Sequence, residues 1–255
     1  MGKKRKVTCS FNRLEHSLQY LTFFKRTVEN YAPEVHSILD ASIPASKRAE
    51  LFEQLLPIDE IEKYSWAIPD QRALRIIQHF SPIVEIGAGK GYWAAELRLL
   101  ETDVQAFDCR VSRDSWTHVI QGGPEVLSRF PSHALLLCYP DDFESSSESL
   151  SLNCLEKFKG EIILTVGEWF GTSALADNPY GKSFGQDFQE QLSLSFHKLL
   201  QVPLPSWRTS SDVLMVWKRS RVVEVDDILF RDTPEEERIE KQPMAVSSLR
   251  SLLDL

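Results

Sequence analysis

The sequence predicts an α/β fold: a seven-stranded, mainly parallel sheet with helices on both faces, preceded by an N-terminal helical extension. Two observations carry this. Most of the apolar segments are short continuous runs, the pattern of strands covered on both faces in a parallel sheet. In addition, Ile83-Val84-Glu85-Ile86-Gly87-Ala88-Gly89-Lys90-Gly91-Tyr92-Trp93-Ala94 sets a buried strand, a glycine loop and a helix start directly one after another.

The elements follow in order. Asn12 with Glu15 three residues later, after the apolar Phe11, reads as a capping box. The helix it opens carries Leu14, Leu18, Leu21, Phe24 and Val28 at helical spacing and ends before Pro33. A second helix is expected from Ser46 to Leu56, ending at Pro57. Asp70 caps a third, which carries Leu74, Ile77 and Phe80 and stops at Ser81-Pro82. Strands are expected at Ile83 to Ile86, Val104 to Phe107, His118 to Gln121, Ala134 to Cys138, Glu161 to Val166, Leu194 to Gln201 and Val213 to Lys218. The gap between Asp108 and the third strand is short, so the helix there shrinks to a turn. Beyond Ser220 the chain is acidic and polar, with Thr233-Pro234-Glu235-Glu236 as a helix-start signal and Val246, Leu249, Leu252 and Leu253 on one helical side. The organisation is a basic start over residues 1–10, a helical extension over 11–65, the α/β domain over 66–220 and an acidic tail over 221–255.

The glycines Gly87, Gly89 and Gly91 are spaced GxGxG, whereas a dinucleotide fingerprint needs its third glycine where this chain has Tyr92. A nicotinamide cofactor is therefore disfavoured. Roughly 15 to 20 residues beyond the loop, Val104-Gln105-Ala106-Phe107 ends in Asp108, an acid placed to accept both hydroxyls of a ribose. These residues resemble motif I and the acidic end of strand two in class I S-adenosylmethionine-dependent methyltransferases. From Trp66-Ala67-Ile68-Pro69 to Trp217, the segment order is similar to a poorly characterised methyltransferase-like group reading GAGxGYWA, with a later leucine-rich strand ending in a Cys-aromatic-Pro element. The resemblance implies a Rossmann-like fold with an antiparallel hairpin at one edge, S-adenosylmethionine as cofactor and no metal. Glu85 is implied as the strand-one acid that orients the methionine end.

Composition limits the function classes. With 42% hydrophobic and 26% charged residues the chain reads as a soluble globular protein, and none of its segments approaches a membrane span. A net charge of -8 disfavours binding a phosphate backbone over a whole face, while leaving room for one local basic patch. Cys9, Cys109, Cys138 and Cys154 form no CxxC pair, which points to a reducing compartment and no structural zinc. Met1-Gly2-Lys3-Lys4-Arg5-Lys6-Val7 reads either as a nuclear import signal or as a solvated start, so the expected location is nuclear or cytoplasmic. Lys6 stands where a myristoylation pattern needs Ser or Thr.

Ligands of an open parallel sheet bind outside the carboxyl ends of its strands. That rule selects Glu85, Gly87, Ala88, Gly89, Gly91, Trp93, Asp108, Gln121 and Tyr139 as cofactor-binding candidates, and Tyr139, Asp141 and Glu168 as catalytic ones. His118 and His133, at the opening ends of their strands, fall on the wrong side. Nitrogen-directed members of the superfamily often carry an Asn/Asp/Ser-Pro-Pro-aromatic element after strand four. This chain has Cys138-Tyr139-Pro140-Asp141 there, with one proline but neither the leading polar residue nor the trailing aromatic. Asp141 or Asp142 is then either a base or orienting acid for a substrate cation or a solvated loop acid. Asp177-Asn178-Pro179-Tyr180 looks like the missing element but follows strand five, and turn chemistry accounts for it. Trp66, Tyr92, Trp93 and Trp169 are the aromatic candidates for lining the pocket, with packing behind the loop equally open for Trp93.

Two function classes remain. One is an S-adenosylmethionine-dependent methyltransferase acting on protein, RNA or a small molecule. The other is a non-catalytic module of the same fold that works through partners docked on its terminal helices.

Overall fold

The computed structural model describes residues 18–31, 42–44, 47, 57–141, 148–170, 180–207 and 210–220. Among these, no helix is long and apolar enough to cross a membrane.

Seven strands form one sheet in the order β3-β2-β1-β4-β5-β7-β6. They are β1 (Ile83–Ile86), β2 (Val104–Asp108), β3 (Ile120–Gln121), β4 (Ala134–Cys138), β5 (Ile162–Gly167), β6 (Phe196–Pro203) and β7 (Val213–Arg219). The first five are parallel, while β7 runs antiparallel between β5 and β6. The chain leaves β1 toward β2 and later returns on its other side as β4, so the sheet order reverses beside β1. This is where an open α/β sheet parts its loops and makes a crevice. The expected fold class and edge hairpin are therefore present, and no helix fills the gap between β2 and β3.

The two faces bury separate cores. Alternate strand residues Ile83, Leu136, Cys138, Leu164, Val166, Leu214 and Val216 pack with Ala73, Leu74, Ile76 and Ile77 of α3 (Gln71–His79) and with Trp93, Ala94 and Leu97 of α4 (Tyr92–Leu99). The intervening residues Val84, Ile86, Leu135, Leu137, Ile163 and Met215 face Cys154 of α5 (Leu150–Lys157) and Phe188 and Leu192 of α6 (Gln186–Ser195). Period-two alternation thus sends neighbouring residues of one apolar run to opposite cores, which is why the strands read as continuous. Helix α3 begins where the sequence places it, with Asp70 accepting the Ala73 amide proton at 2.7 Å. Asp70→Ala is expected to cost about 1 kcal/mol through loss of this cap, measured as a lowered midpoint in urea unfolding.

The N-terminal extension differs from its expected form. Leu18, expected inside the first helix, is its left-handed N-cap at φ 62, and α1 runs Gln19–Glu29. Leu18 instead donates its amide to Glu96 Oε1 at 3.0 Å, and Tyr20 donates its amide to the Tyr92 hydroxyl at 3.1 Å. These two bonds tie the first turn of α1 to α4. The buried face of α1 centres on Tyr20, which is 0% exposed and lies outside the leucine stripe. Its ring stacks on Tyr64 at 4.7 Å and meets Tyr92 edge-on, and its hydroxyl accepts the Trp207 indole proton at 2.9 Å. Aromatic complementarity between distant segments, absent from any local periodicity, rotates the helix.

Pro57, expected as a helix end, precedes α2 (Ile58–Lys63). The sixth strand begins at Phe196 rather than Leu194, because residues up to Ser195 belong to α6 and bury Phe188 and Leu192 at helical spacing. The third strand is only two residues long. The basic start, the Asn12 cap, the helix at 46–56 apart from Lys47, and everything beyond Ser220 lie outside the described residues.

Candidate functional site

Three glycines and one acid meet where the sheet order reverses. Gly87, Gly89 and Gly91 all have positive φ, at 77, 55 and 76, a region L side chains enter only with strain. The amides of Gly87 and Ala88 both donate to Phe107 O, at 2.9 and 3.0 Å, which clamps the loop against β2. At Gly89 a Cβ would meet nothing within 4 Å, so that side of the loop opens onto free space. The Gly89 amide donates to Asp108 Oδ2 at 2.8 Å, and the Arg110 amide to Oδ1 at 2.8 Å. Each carboxylate oxygen keeps a further lone pair for a ligand hydroxyl. Gln121 lies beside Asp108 in the β2–β3 register and donates to Cys109 O at 3.4 Å. Glu85, Gly87, Ala88, Gly89, Gly91, Asp108 and Gln121 thus converge at one edge.

Glu85 is 1% exposed, and its Oε2 has no hydrogen-bond partner among the described residues. Burial pushes its carboxyl up to about 8; Arg98 opposes the shift and Asp108 adds to it. An acid in this state is neutral at pH 7 and ionises readily when a cation arrives.

A second group sits one strand further along the same edge. Tyr139 follows β4 in a left-handed conformation, φ 47, and its hydroxyl donates to Asp212 Oδ1 at 2.5 Å. Asp212 precedes β7, and because β7 is antiparallel its start lies with the carboxyl ends of the parallel strands. It is 2% exposed, and burial raises it to about 7, with the Tyr139 hydroxyl opposing and Glu168 adding. Glu168, after β5, is 1% exposed; Oε2 accepts the Lys182 amide at 3.1 Å while Oε1 has no partner among the described residues. Trp66 stacks on Tyr139 at 6.1 Å and stays 53% exposed, which makes it the rim of this group.

The sequence did not point to Asp212. Its only signal is position, an acid immediately before the apolar strand that starts at Val213.

Other candidates are placed elsewhere. Trp93 is buried behind the loop, its indole donating to Ala67 O at 3.3 Å. Tyr92 belongs to the aromatic cluster under α1, and Trp169 packs on Phe184, Phe188 and Trp217 across the sheet. Asp141 is buried and its carboxylate collects the Ser149 and Ser151 hydroxyls and the Ser151 and Gly185 amides. It thereby joins the start of α5 to the approach to α6, and four donors occupy its two oxygens. Asp142 and 177–179 lie outside the described residues. Among the described residues, no three His, Cys, Asp or Glu side chains are grouped to hold a metal ion.

No family model and no curated protein sequence matches this chain. Among solved structures it is similar to the 1,6-didemethyltoxoflavin-N1-methyltransferase of Burkholderia thailandensis with bound S-adenosylhomocysteine, at 14% identity and TM-score 0.42 over 80% of this chain and 91% of that one. It is also similar to the glycopeptide N-methyltransferase MtfA complexed with S-adenosylmethionine, at 11% identity and TM-score 0.37 over 58% and 92% of the chains. An O-methyltransferase from Bacillus cereus in complex with S-adenosylhomocysteine gives 13% identity and TM-score 0.39 over 75% and 100%.

Proposed function

We propose that this protein is an S-adenosylmethionine-dependent methyltransferase. The observation that carries the reading is the Asp108 carboxylate held 2.8 Å from the Gly89 amide, at the mouth of a positive-φ glycine loop beside the point where the sheet order reverses. The residues fit the cofactor. Asp108 offers lone pairs to a ribose diol, the bare side of Gly89 admits close approach, and the unpartnered oxygen of Glu85 suits the ammonium of the methionine end. Bound there, the cofactor supplies an electrophilic methyl group on a sulfonium. The chain's part is then alignment and exclusion of water. The narrower resemblance to the GAGxGYWA group rests on the motif residues.

The test is thermal unfolding with S-adenosylmethionine, S-adenosylhomocysteine and NAD in parallel. A ligand at 100 times its dissociation constant adds about 2.7 kcal/mol to stability, a rise of several degrees for a domain of this size. A rise with the two sulfur nucleotides alone supports the proposal, and Asp108→Ala is expected to weaken their binding by about 1 to 3 kcal/mol. Absence of any rise at saturating ligand would leave the interaction-module reading in its place.

A further inference from the structure

We infer that the Tyr139–Asp212–Glu168 group, rimmed by Trp66, is the methyl-acceptor subsite and that its ligand is anchored there by a positively charged nitrogen distinct from the atom whose lone pair takes the methyl group. The inference rests on the methyltransferase reading and names its substrate class.

Two acid stations occupy one edge of the sheet. The first, Glu85 with Asp108, adjoins the glycine loop after β1 and serves the cofactor in that reading. The second lies after β4 and β5 and before β7, and β1 pairs directly with β4 and β4 with β5, so the two stations stand on neighbouring strands. Their proximity is what a transfer between two bound molecules requires.

The second station has the composition of a cation site. Among the described residues, the charged groups acting on Asp212 and Tyr139 are carboxyls, with Glu168 acting on both. Buried carboxylates are normally paired or coordinated. Here Asp212 has the Tyr139 hydroxyl and, at 3.4 Å, the Ser210 hydroxyl, while buried Glu168 Oε1 has no partner among the described residues. A buried acceptor left open in this way costs stability unless a donor reaches it. Among the described residues no three His, Cys, Asp or Glu side chains are grouped here to hold a metal ion, so the proposed cation is an organic one. Trp66 supports that choice, since its half-exposed ring, stacked on Tyr139, offers a π face at the entrance.

The station is assembled only by the fold. Left-handed Tyr139 turns the chain at the end of β4, its amide bonding Val166 O at 3.0 Å, and Ser206 fixes Asp212 by accepting its amide at 2.9 Å.

The probes are benzylammonium and its neutral counterpart benzyl alcohol, titrated by saturation-transfer NMR with and without S-adenosylhomocysteine. Wild-type protein is expected to bind the ammonium at least about tenfold more tightly, the scale of one charge-assisted contact. Glu168→Gln and Asp212→Asn, which remove charge at constant shape, are each expected to reduce that preference severalfold, and Trp66→Ala to weaken both probes. Equal binding of the two probes, no binding of either, or an unchanged preference in both charge variants overturns the inference. Displacement of benzylammonium by S-adenosylhomocysteine also overturns it, because the station would then be the cofactor's own. The thermal response to S-adenosylhomocysteine is scored separately and decides the methyltransferase reading by itself.

Discussion

Glu85→Gln is expected to make the protein more stable at pH 7.5, by on the order of 2 kcal/mol, and to flatten the dependence of stability on pH. The sign follows from the direction of the shift. Burial raises the Glu85 carboxyl to about 8 from 4.5 in the unfolded chain. Between these values the folded state holds a proton that the unfolded state has released, so stability is fully present below about pH 4.5 and falls as pH rises toward 8. Asp212, raised from 3.8 to about 7, adds a fall of the same sign over the lower part of that window. Glutamine is neutral at every pH and removes the Glu85 contribution. The check is urea unfolding of both proteins at pH 5.5 and 7.5. Equal gains in stability at both values would mean that the wild-type carboxyl does not titrate in this range. The variant is also expected to respond less to S-adenosylmethionine, since a neutral amide attracts the ligand's ammonium more weakly than a carboxylate does. Stability and ligand affinity then move in opposite directions, as at other strained functional sites.

Gly91→Ala and Gly89→Ala are expected to fail in different ways, although both glycines have positive φ. At Gly91 a Cβ would stand 2.7 Å from Val119 Cγ2 and 3.2 Å from Thr117 Cγ2, beneath the first turn of α4. Left-handed strain and overpacking together put the loss at about 2 to 4 kcal/mol, a fall in melting temperature on the order of 10 °C. At Gly89 the methyl would enter free space, leaving only backbone strain of about 1 kcal/mol. Its effect falls on the ligand side, where the thermal response to S-adenosylhomocysteine should largely disappear. Melting curves of the two variants with and without the nucleotide test both statements. A stable Gly91→Ala, or a Gly89→Ala that keeps its full response, would mean that the loop is built differently.

Much of the sheet was legible because its signals are local. Ile83 to Ile86 and Ala134 to Cys138 are strands with the expected limits, since each is an apolar run bounded by turn-forming residues. Asp70 was readable as a cap because its partner amide lies three residues away. Glycine spacing and the acid at Asp108 located the loop and its neighbour for the same reason. Where signals conflicted, packing decided. Leu194 looks like the start of an apolar strand, but it is the exposed end of α6, which Phe188 and Leu192 hold against the second core.

The sequence by itself determined the fold class, the glycine loop and Asp108, because spacing, alternation and capping act within a few residues. Tertiary structure alone decided that Tyr20 anchors α1, that Asp141 is consumed by α5 and the approach to α6, and that Tyr139, Glu168 and Asp212 form one acid station. Tyr139 and Asp212 are 73 positions apart, and the station depends on β7 running antiparallel, which brings its start to the edge where β4 and β5 end. The edge hairpin was expected, but which of its two strands lies against β5 is set by long-range pairing and burial, and their own residues do not encode it.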